Sequence, residues 1–260
     1  MVSKILEVKN FSAGYENGFV LKDISFDVGV GEFLCILGRN GSGKTTLIKG
    51  IQRLIPNIKG EIFIGGEKIN ELNPKQIARK AAYVPQLSDF IFQFTVKELI
   101  EMARYVHQGR IFKFTELDKK KIEEAMEIAQ IRELQDRKIA TLSGGERKRV
   151  LIARALVQDT PLIFLDEPSA HLDLNFQIEV YKLLYNLCRE KRKTIVCTEH
   201  NINLVIPFCD RIIFLNKGRI FKEGKPSEII TEENIREVYN ACVIVRENPI
   251  TGLPEVSLIK

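Results

Sequence analysis

The chain has 260 residues, 45% hydrophobic and 28% charged, the make-up of an ordinary soluble globular protein with material for one large domain or two. Its net charge of +5 at pH 7, from 39 Lys+Arg against 34 Asp+Glu, is spread along the sequence and gives no ground for nucleic-acid binding. No apolar run approaches the ~18 residues that cross a bilayer, and Met1 to Asn10 lacks the apolar stretch of a secretory signal, so work at a membrane needs a spanning partner.

The densest basic runs, Lys119 to Lys121 and Glu190 to Lys193, are flanked by acids at helical spacing and read as solvated helix faces. The cysteines, Cys35, Cys188, Cys197, Cys209 and Cys242, show no C-x-x-C pairing, and most sit in apolar surroundings, as buried thiols of a reducing compartment do.

In chain order, the first third reads as strands and hairpins. Ile24, Phe26 and Val28 alternate with polar residues, and Glu61 to Ile64 runs into a Gly65-Gly66 turn. Between them, Glu32 to Leu37 is a near-continuous apolar strand entering a glycine-rich loop, after which Leu47, Ile48, Ile51, Leu54 and Ile55 fall on one helical face. From about Ser88 to Ala140 the pattern turns helical. Thr95 and Glu98 form a capping box before Leu99, Ile100 and Ala103, and Ile122, Ala125, Met126 and Ala129 mark a second amphipathic helix after Asp118. Parallel-strand signals return at Leu162 to Leu165 and Thr194 to Cys197, Asn216 to Arg219 reads as a hairpin turn, and alternation near Ala241 to Val245 suggests a last strand.

Three motifs carry chemistry. Gly38-Arg39-Asn40-Gly41-Ser42-Gly43-Lys44-Thr45, followed by Thr46, fits G-x-x-x-x-G-K-[ST], in which glycines let backbone N–H groups wrap phosphates at a helix N-terminus. Lys44 is expected to reach the β and γ phosphates of ATP and the Thr45 hydroxyl to hold Mg²⁺; the plain alternative is a glycine-rich turn with an incidental lysine. Leu162 to Leu165 ends in Asp166 and Glu167, carboxylates at the carboxyl edge of a sheet, suited to orienting Mg²⁺ and activating water respectively, or else simply ending a strand. Ser143-Gly144-Gly145-Glu146 is a capping box enclosing two glycines, a plain helix start that also makes a second anion-facing helix end. Two such ends are hard to reconcile with one nucleotide on one chain.

With these residues in hand the sequence resembles the nucleotide-binding subunits of ABC transporters over nearly its whole length, the Leu142-Ser-Gly-Gly-Glu146 signature being the specific element. The remaining landmarks fall in order: Tyr15 matches the aromatic residue that stacks on adenine, Gln86 the Q-loop, Ser169 to Asp173 the D-loop and His200 the switch histidine. Taken singly, each has a bland structural reading. Lys148 stands where many relatives carry Gln, and Asn201 where Asp is more usual; His107 and His171 receive no role.

The resemblance implies an α/β fold: a P-loop NTPase core (RecA-like, with a mostly parallel sheet), an N-terminal antiparallel β subdomain and an inserted α-helical subdomain. It makes 1–260 a single ABC ATPase domain, with 88–140 helical and 1–87 with 141–260 forming the rest. It implies catalytic roles for Glu167, His200 and Lys44, Mg²⁺ contacts from Thr45, Gln86 and Asp166, and an ATP-sandwich homodimer in which each nucleotide lies between Gly38–Thr46 of one copy and Ser143–Gly145 of the other. Transmembrane permease subunits and, indirectly, a substrate-binding protein complete the expected assembly, at the cytoplasmic face of the membrane. Gln86 through Phe94-Thr-Val-Lys-Glu98 to Met102-Ala-Arg104 looks like the ATPases of type II importers for iron chelates, haem or cobalamin. The same stretch, with Phe90, Ile91, Phe92 and Phe94, is expected to receive a permease helix, an internal cluster being the alternative. A soluble ABC ATPase of DNA repair or ribosomes is the rival; those usually carry a long coiled-coil insert or two cassettes, and here there is one phosphate loop.

Overall fold

The computed structural model describes residues 3–16, 18–86, 94–108 and 114–259. Strands β1 (Lys4–Tyr15) and β2 (Gly18–Gly29) pair antiparallel, and β3 (Phe33–Leu37) then dives into the interior and delivers the chain to helix α1 (Lys44–Ile51). β4 (Asn57–Ile64) and the short β5 (Glu67–Lys68) complete a four-stranded antiparallel sheet in the order β2-β1-β4-β5. After α2 (Pro74–Lys80) and β6 (Ala81–Val84) come helices α3 (Val96–Met102), α4 (Glu116–Ile128) and α5 (Gly144–Val157). The chain then alternates: β7 (Leu162–Asp166), α6 (Leu174–Lys191), β8 (Thr194–Glu199), α7 (Ile202–Val205) and β9 (Arg211–Asn216). β10 (Arg219–Gly224), α8 (Pro226–Ile229), α9 (Glu232–Tyr239), β11 (Val243–Glu247) and β12 (Pro254–Leu258) finish it.

The main sheet has the order β10-β9-β3-β8-β7-β6, parallel throughout except for β10. Both of its faces are covered, which is why its strands read as continuous apolar runs rather than alternating ones. The alternation survives in where the side chains go. Phe33, Cys35 and Leu37 of β3 join Ile163 and Leu165 of β7 in a cluster shared with α3, α4, α5 and α6. Leu34 and Ile36, with Leu162 and Phe164, point the other way, into a second cluster built with α1 and the antiparallel sheet. The fold is that of a P-loop NTPase with an antiparallel N-terminal sheet.

Local signals mostly form as their chemistry dictates. Thr95, Thr115 and Ser143 each cap a helix through a reciprocal box with the residue three positions on. Three boundaries differ from the sequence expectation. The helical face assigned to Leu47 through Ile55 ends at Ile51: Arg53 turns to φ 58°, and Leu54, outside the helix, is 57% exposed although Ile55 is buried. The second amphipathic helix starts before Asp118, since Thr115 is its cap and Asp118 the returning carboxylate of the box. The last strand runs over Val243–Glu247 and is followed by β12, with which it forms a two-stranded sheet.

The basic runs are paired as expected of solvated faces: Lys119 with Glu116, Lys121 and Lys193 with Asp159, and Lys191 with Glu124. All five thiols are free, four of them buried and Cys242 exposed. Of the apolar residues expected to face a permease, Phe90, Ile91 and Phe92 lie outside the described residues, while Phe94 packs against the core cluster.

Candidate functional site: a phosphate cradle at the carboxyl ends of three strands

Parallel neighbours β3, β8 and β7 end at the same edge, with Leu37 opposite Glu199 and Thr198 opposite Asp166. That register gathers the phosphate loop, the acidic pair and the His200 segment, which are distant in sequence, around one cleft. A cavity of about 390 Å³ opens there, lined by Val20, Asn40, Gly41, Gly43, Lys44, Thr45, Thr46, Gln86 and Glu167.

The loop's glycines are required by space and by backbone angle. A Cβ on Gly38 would stand 2.3 Å from the Leu215 carbonyl oxygen, and Gly43, the residue before α1, has φ 106°. No side chain caps the α1 N-terminus, so its N–H groups stay available to an anion. The buried Ser42 hydroxyl has no hydrogen-bond partner either. Lys44, only 5% exposed, folds over the loop and donates to the carbonyls of Gly38 at 2.8 Å and Arg39 at 3.3 Å, with its ammonium 3.6 Å from Glu167.

Opposite the loop, the Asp166 carboxylate, buried at 1% exposure, accepts from the hydroxyls of Thr45 at 3.0 Å and Thr198 at 2.7 Å. Glu167 is half-buried; the Gln86 amide donates to its Oε2 at 2.8 Å, and its own N–H donates to Thr198 Oγ1 at 3.0 Å. Its backbone sits in the left-handed region, φ 43°, a strained setting for a residue other than glycine. His200 is exposed, with Nδ1 3.7 Å from Glu167 Oε2. Its neighbour Asn201 caps α7 by accepting from the Leu204 N–H at 3.3 Å, work that Asn does as well as Asp.

Other expected residues lie apart from the cavity. Tyr15 is 43% exposed at the turn end of the β1–β2 hairpin, and Val20 is the hairpin residue that reaches the cavity wall. Ser143 and Gly144 are exposed at the start of α5, and neither they nor Gly145 line the cavity. The two signature glycines differ. A Cβ on Gly144 would meet nothing nearer than 3.5 Å, whereas on Gly145 it would stand 2.8 Å from the Phe176 ring. Gly145 is therefore also a packing glycine, where the start of α5 touches α6.

Two residues near the site escaped sequence reasoning. Lys148, 4% exposed on α5, donates to the carbonyls of Pro85 at 3.3 Å and Gln86 at 3.2 Å, and burial pushes its ammonium down to about 8 against the opposing pull of Asp166, Glu199 and Glu167. Its unusual identity was visible, its target was not. Glu199 is fully buried and hydrogen-bonded to the Ser169 and His200 segments. His107 is exposed and contacts the Gln158 carbonyl, and His171, also exposed, adopts φ 61°.

The family model described as ABC transporter matches residues 21–170. The chain belongs to the ABC transporter family. Among similar proteins, the petrobactin import ATP-binding protein FpuD of Bacillus anthracis is 33% identical over 253 residues, spanning 97% of this chain and 93% of that protein. A structure assigned to the metal-chelate type of ABC transporters, in an inward-facing conformation, superposes with a TM-score of 0.84 at 28% identity, covering 99% of this chain and 97% of the other. A dimeric ATP-binding cassette bound to ADP and Pi gives a TM-score of 0.74 at 31% identity, covering 85% of this chain and 98% of the other. This ABC protein is an ATP-binding subunit and an ATPase, and among the described residues no helix is long and apolar enough to cross a membrane.

Proposed function

We propose that the chain powers import of an iron-siderophore, haem or cobalamin-type metal chelate, working as a homodimer docked on permease subunits at the cytoplasmic face of the membrane. The observation that carries the dimer is the division of the site. Residues of the phosphate loop line one cavity together with Gln86 and Glu167, whereas Ser143 and Gly144 present an exposed, anion-facing helix end that does not line it. In a head-to-tail pair each nucleotide would lie between the phosphate loop of one copy and Ser143 of the partner subunit. The dimeric cassette supports the pairing of two copies, and the petrobactin-import relative and the metal-chelate neighbour support the cargo class. A substrate-binding protein would hand the chelate to the permease.

The cradle fits Mg-ATP. Uncapped N–H groups at α1, the unpartnered Ser42 hydroxyl and the Lys44 ammonium are donors in excess of the acceptors present, which suits a polyanion. Thr45 and Asp166, already 3.0 Å apart, would hold Mg²⁺ with Gln86, and the ion would neutralise charge on the β and γ phosphates. Lys44 would exchange its carbonyl contacts for phosphate oxygens. Glu167, held by the Gln86 amide and the Thr198 hydroxyl, is the general base that takes the proton of the attacking water. His200, exposed beside it, would contact the γ-phosphate. Tyr15 would stack on adenine from the hairpin tip.

Glu167→Gln tests this. It preserves size and leaves the cradle intact, so nucleotide affinity should persist while turnover falls by roughly 10²- to 10⁴-fold, and an ATP-bound dimer should accumulate. Unchanged turnover would refute the assignment of the base.

A further inference from the structure

Glu199, the last residue of β8, is 0% exposed. Among the described residues no lysine or arginine forms an ion pair with it, and its one such neighbour is the exposed His200 ring, Nδ1 3.6 Å from Oε2. Burying a carboxylate is costly unless hydrogen bonds offset the lost water. Here they do, in a divided way. Oε1 accepts the Ser169 hydroxyl and, at 3.3 Å, the Ser169 N–H; Oε2 accepts the His200 N–H at 2.9 Å and, more weakly, the Asn201 N–H at 3.5 Å. One oxygen serves the loop that leaves Glu167, the other the loop that carries His200.

The loop after β7 needs such a tether. Glu167 and His171, on either side of Ser169, both occupy the left-handed region, at φ 43° and 61°. Strained backbone of this kind persists only where its surroundings over-determine it. Within the loop, Ala170 N–H donates to the Glu167 carbonyl and Leu172 N–H to the Ser169 carbonyl, while the Gln177 amide donates to the Leu172 carbonyl. These bonds close the loop on itself and on α6; the Glu167 N–H on Thr198 ties its start to β8, and Glu199 ties its middle, at Ser169, to the same strand's end.

We propose that Glu199 is a positioning residue that clamps the Ser169 loop to the His200 segment and so sets the distance between Glu167 and His200. The proposal rests on the ATPase roles given to those two residues. An apolar side chain would fill the same volume at less cost, but could not accept hydrogen bonds from two loops at once. Glutamine has one acceptor oxygen: turned to keep the His200 N–H, its NH₂ can donate to the Ser169 hydroxyl but faces the Ser169 N–H, so Glu199→Gln removes an acceptor from one of the two loops while conserving shape.

ATP hydrolysis and equilibrium ATP binding by the full-length chain test this for Glu199→Gln, Ser169→Ala and the double variant. Glu199→Gln should lower kcat by about 10- to 100-fold, the scale of a catalytic group displaced by an ångström, with nucleotide affinity changed by no more than about twofold because the phosphate loop is untouched. Ser169→Ala should lower kcat less, and should add nothing in the Glu199→Gln background, since both remove the same link. Wild-type kcat in Glu199→Gln, additive losses in the double variant, or affinity falling in step with kcat would each overturn the clamp. Should Glu199→Gln fail to fold, Ser169→Ala decides alone: the clamp requires a kcat loss at unchanged affinity, and wild-type kcat refutes it. Glu167→Gln is the control. Turnover surviving there defeats the ATPase roles themselves, whereas its loss beside unaffected Glu199 and Ser169 variants defeats only the clamp.

Discussion

Two clusters of buried charge can be set side by side, one between α3 and α4, the other at the carboxyl ends of β3, β7 and β8. In the first, Asp118 accepts from Arg104 Nε at 2.7 Å, from the Thr115 N–H at 2.9 Å and hydroxyl at 2.8 Å, and from the Gln108 amide at 3.4 Å, while Arg104 also donates to the Val157 carbonyl at 2.9 Å. Acceptor meets donor along the pair, and among the described residues neither Arg104 nor Asp118 lines any of the four main cavities. In the second, the Ser42 hydroxyl has no partner, Lys44 rests on backbone carbonyls, α1 is uncapped and a 390 Å³ cavity adjoins them. Closed valence marks structure and open valence marks a ligand. The Met102-Ala-Arg104 stretch that resembles type II importers thus ends in a residue that ties α3, α4 and α5 together.

Substitutions should separate the clusters by what they damage. The largest effect is expected at the open one, where Glu167→Gln reduces turnover by roughly 10²- to 10⁴-fold in steady-state ATPase assays while the denaturant midpoint stays close to wild type. At the closed one the damage is to stability. Arg104→Met strands the Asp118 carboxylate and should cost about 3–5 kcal/mol in urea unfolding, the range for breaking one side of a buried pair. A turnover loss at constant stability there would blur the distinction.

Acid should find the closed cluster too. Burial alone would raise the Asp118 carboxyl, but the Thr115 N–H and hydroxyl and the Arg104 guanidinium outweigh it and hold the group below its ordinary 3.8. The unfolded chain therefore binds the proton first, so the stability gained from Asp118 is present above pH 3.8 and is lost as pH falls through the lower folded value. Asp118→Asn should unfold less steeply below pH 3.8 than the wild type, followed by circular dichroism. The smallest effect belongs to an exposed cap: Thr95→Ala removes the acceptor for the Glu98 N–H and should cost about 1 kcal/mol in the same unfolding assay.

Chemistry written in consecutive residues was legible in the sequence. The phosphate loop, the acidic strand end and the capping boxes at Thr95 and Ser143 depend on neighbours within a few positions, and each forms the local structure its spacing dictates. What was hidden depends on which strands become neighbours. Glu199 meets Ser169 across 30 positions because β8 lies beside β7, and Lys148 meets Gln86 because α5 packs over the end of β6. No spacing rule encodes either pairing. Leu54 misleads for the opposite reason: it has the helical period, but Arg53 turns the chain first. Asn201, suspect in the sequence, takes its place by capping α7.

The central claim is that one chain holds half of a nucleotide site, and mixing two inactive variants tests it most directly. Lys44→Ala removes the phosphate contact. Gly144→Glu places a carboxylate at the signature helix end, where the backbone has room for a side chain and only the approaching phosphate is opposed. In a head-to-tail pair of one Lys44→Ala chain and one Gly144→Glu chain, one composite site carries both lesions and the other carries neither. ATPase activity should therefore reappear on mixing two preparations that are each inactive. A mixture as inactive as its components, with mixed dimers demonstrably formed, would contradict the shared site.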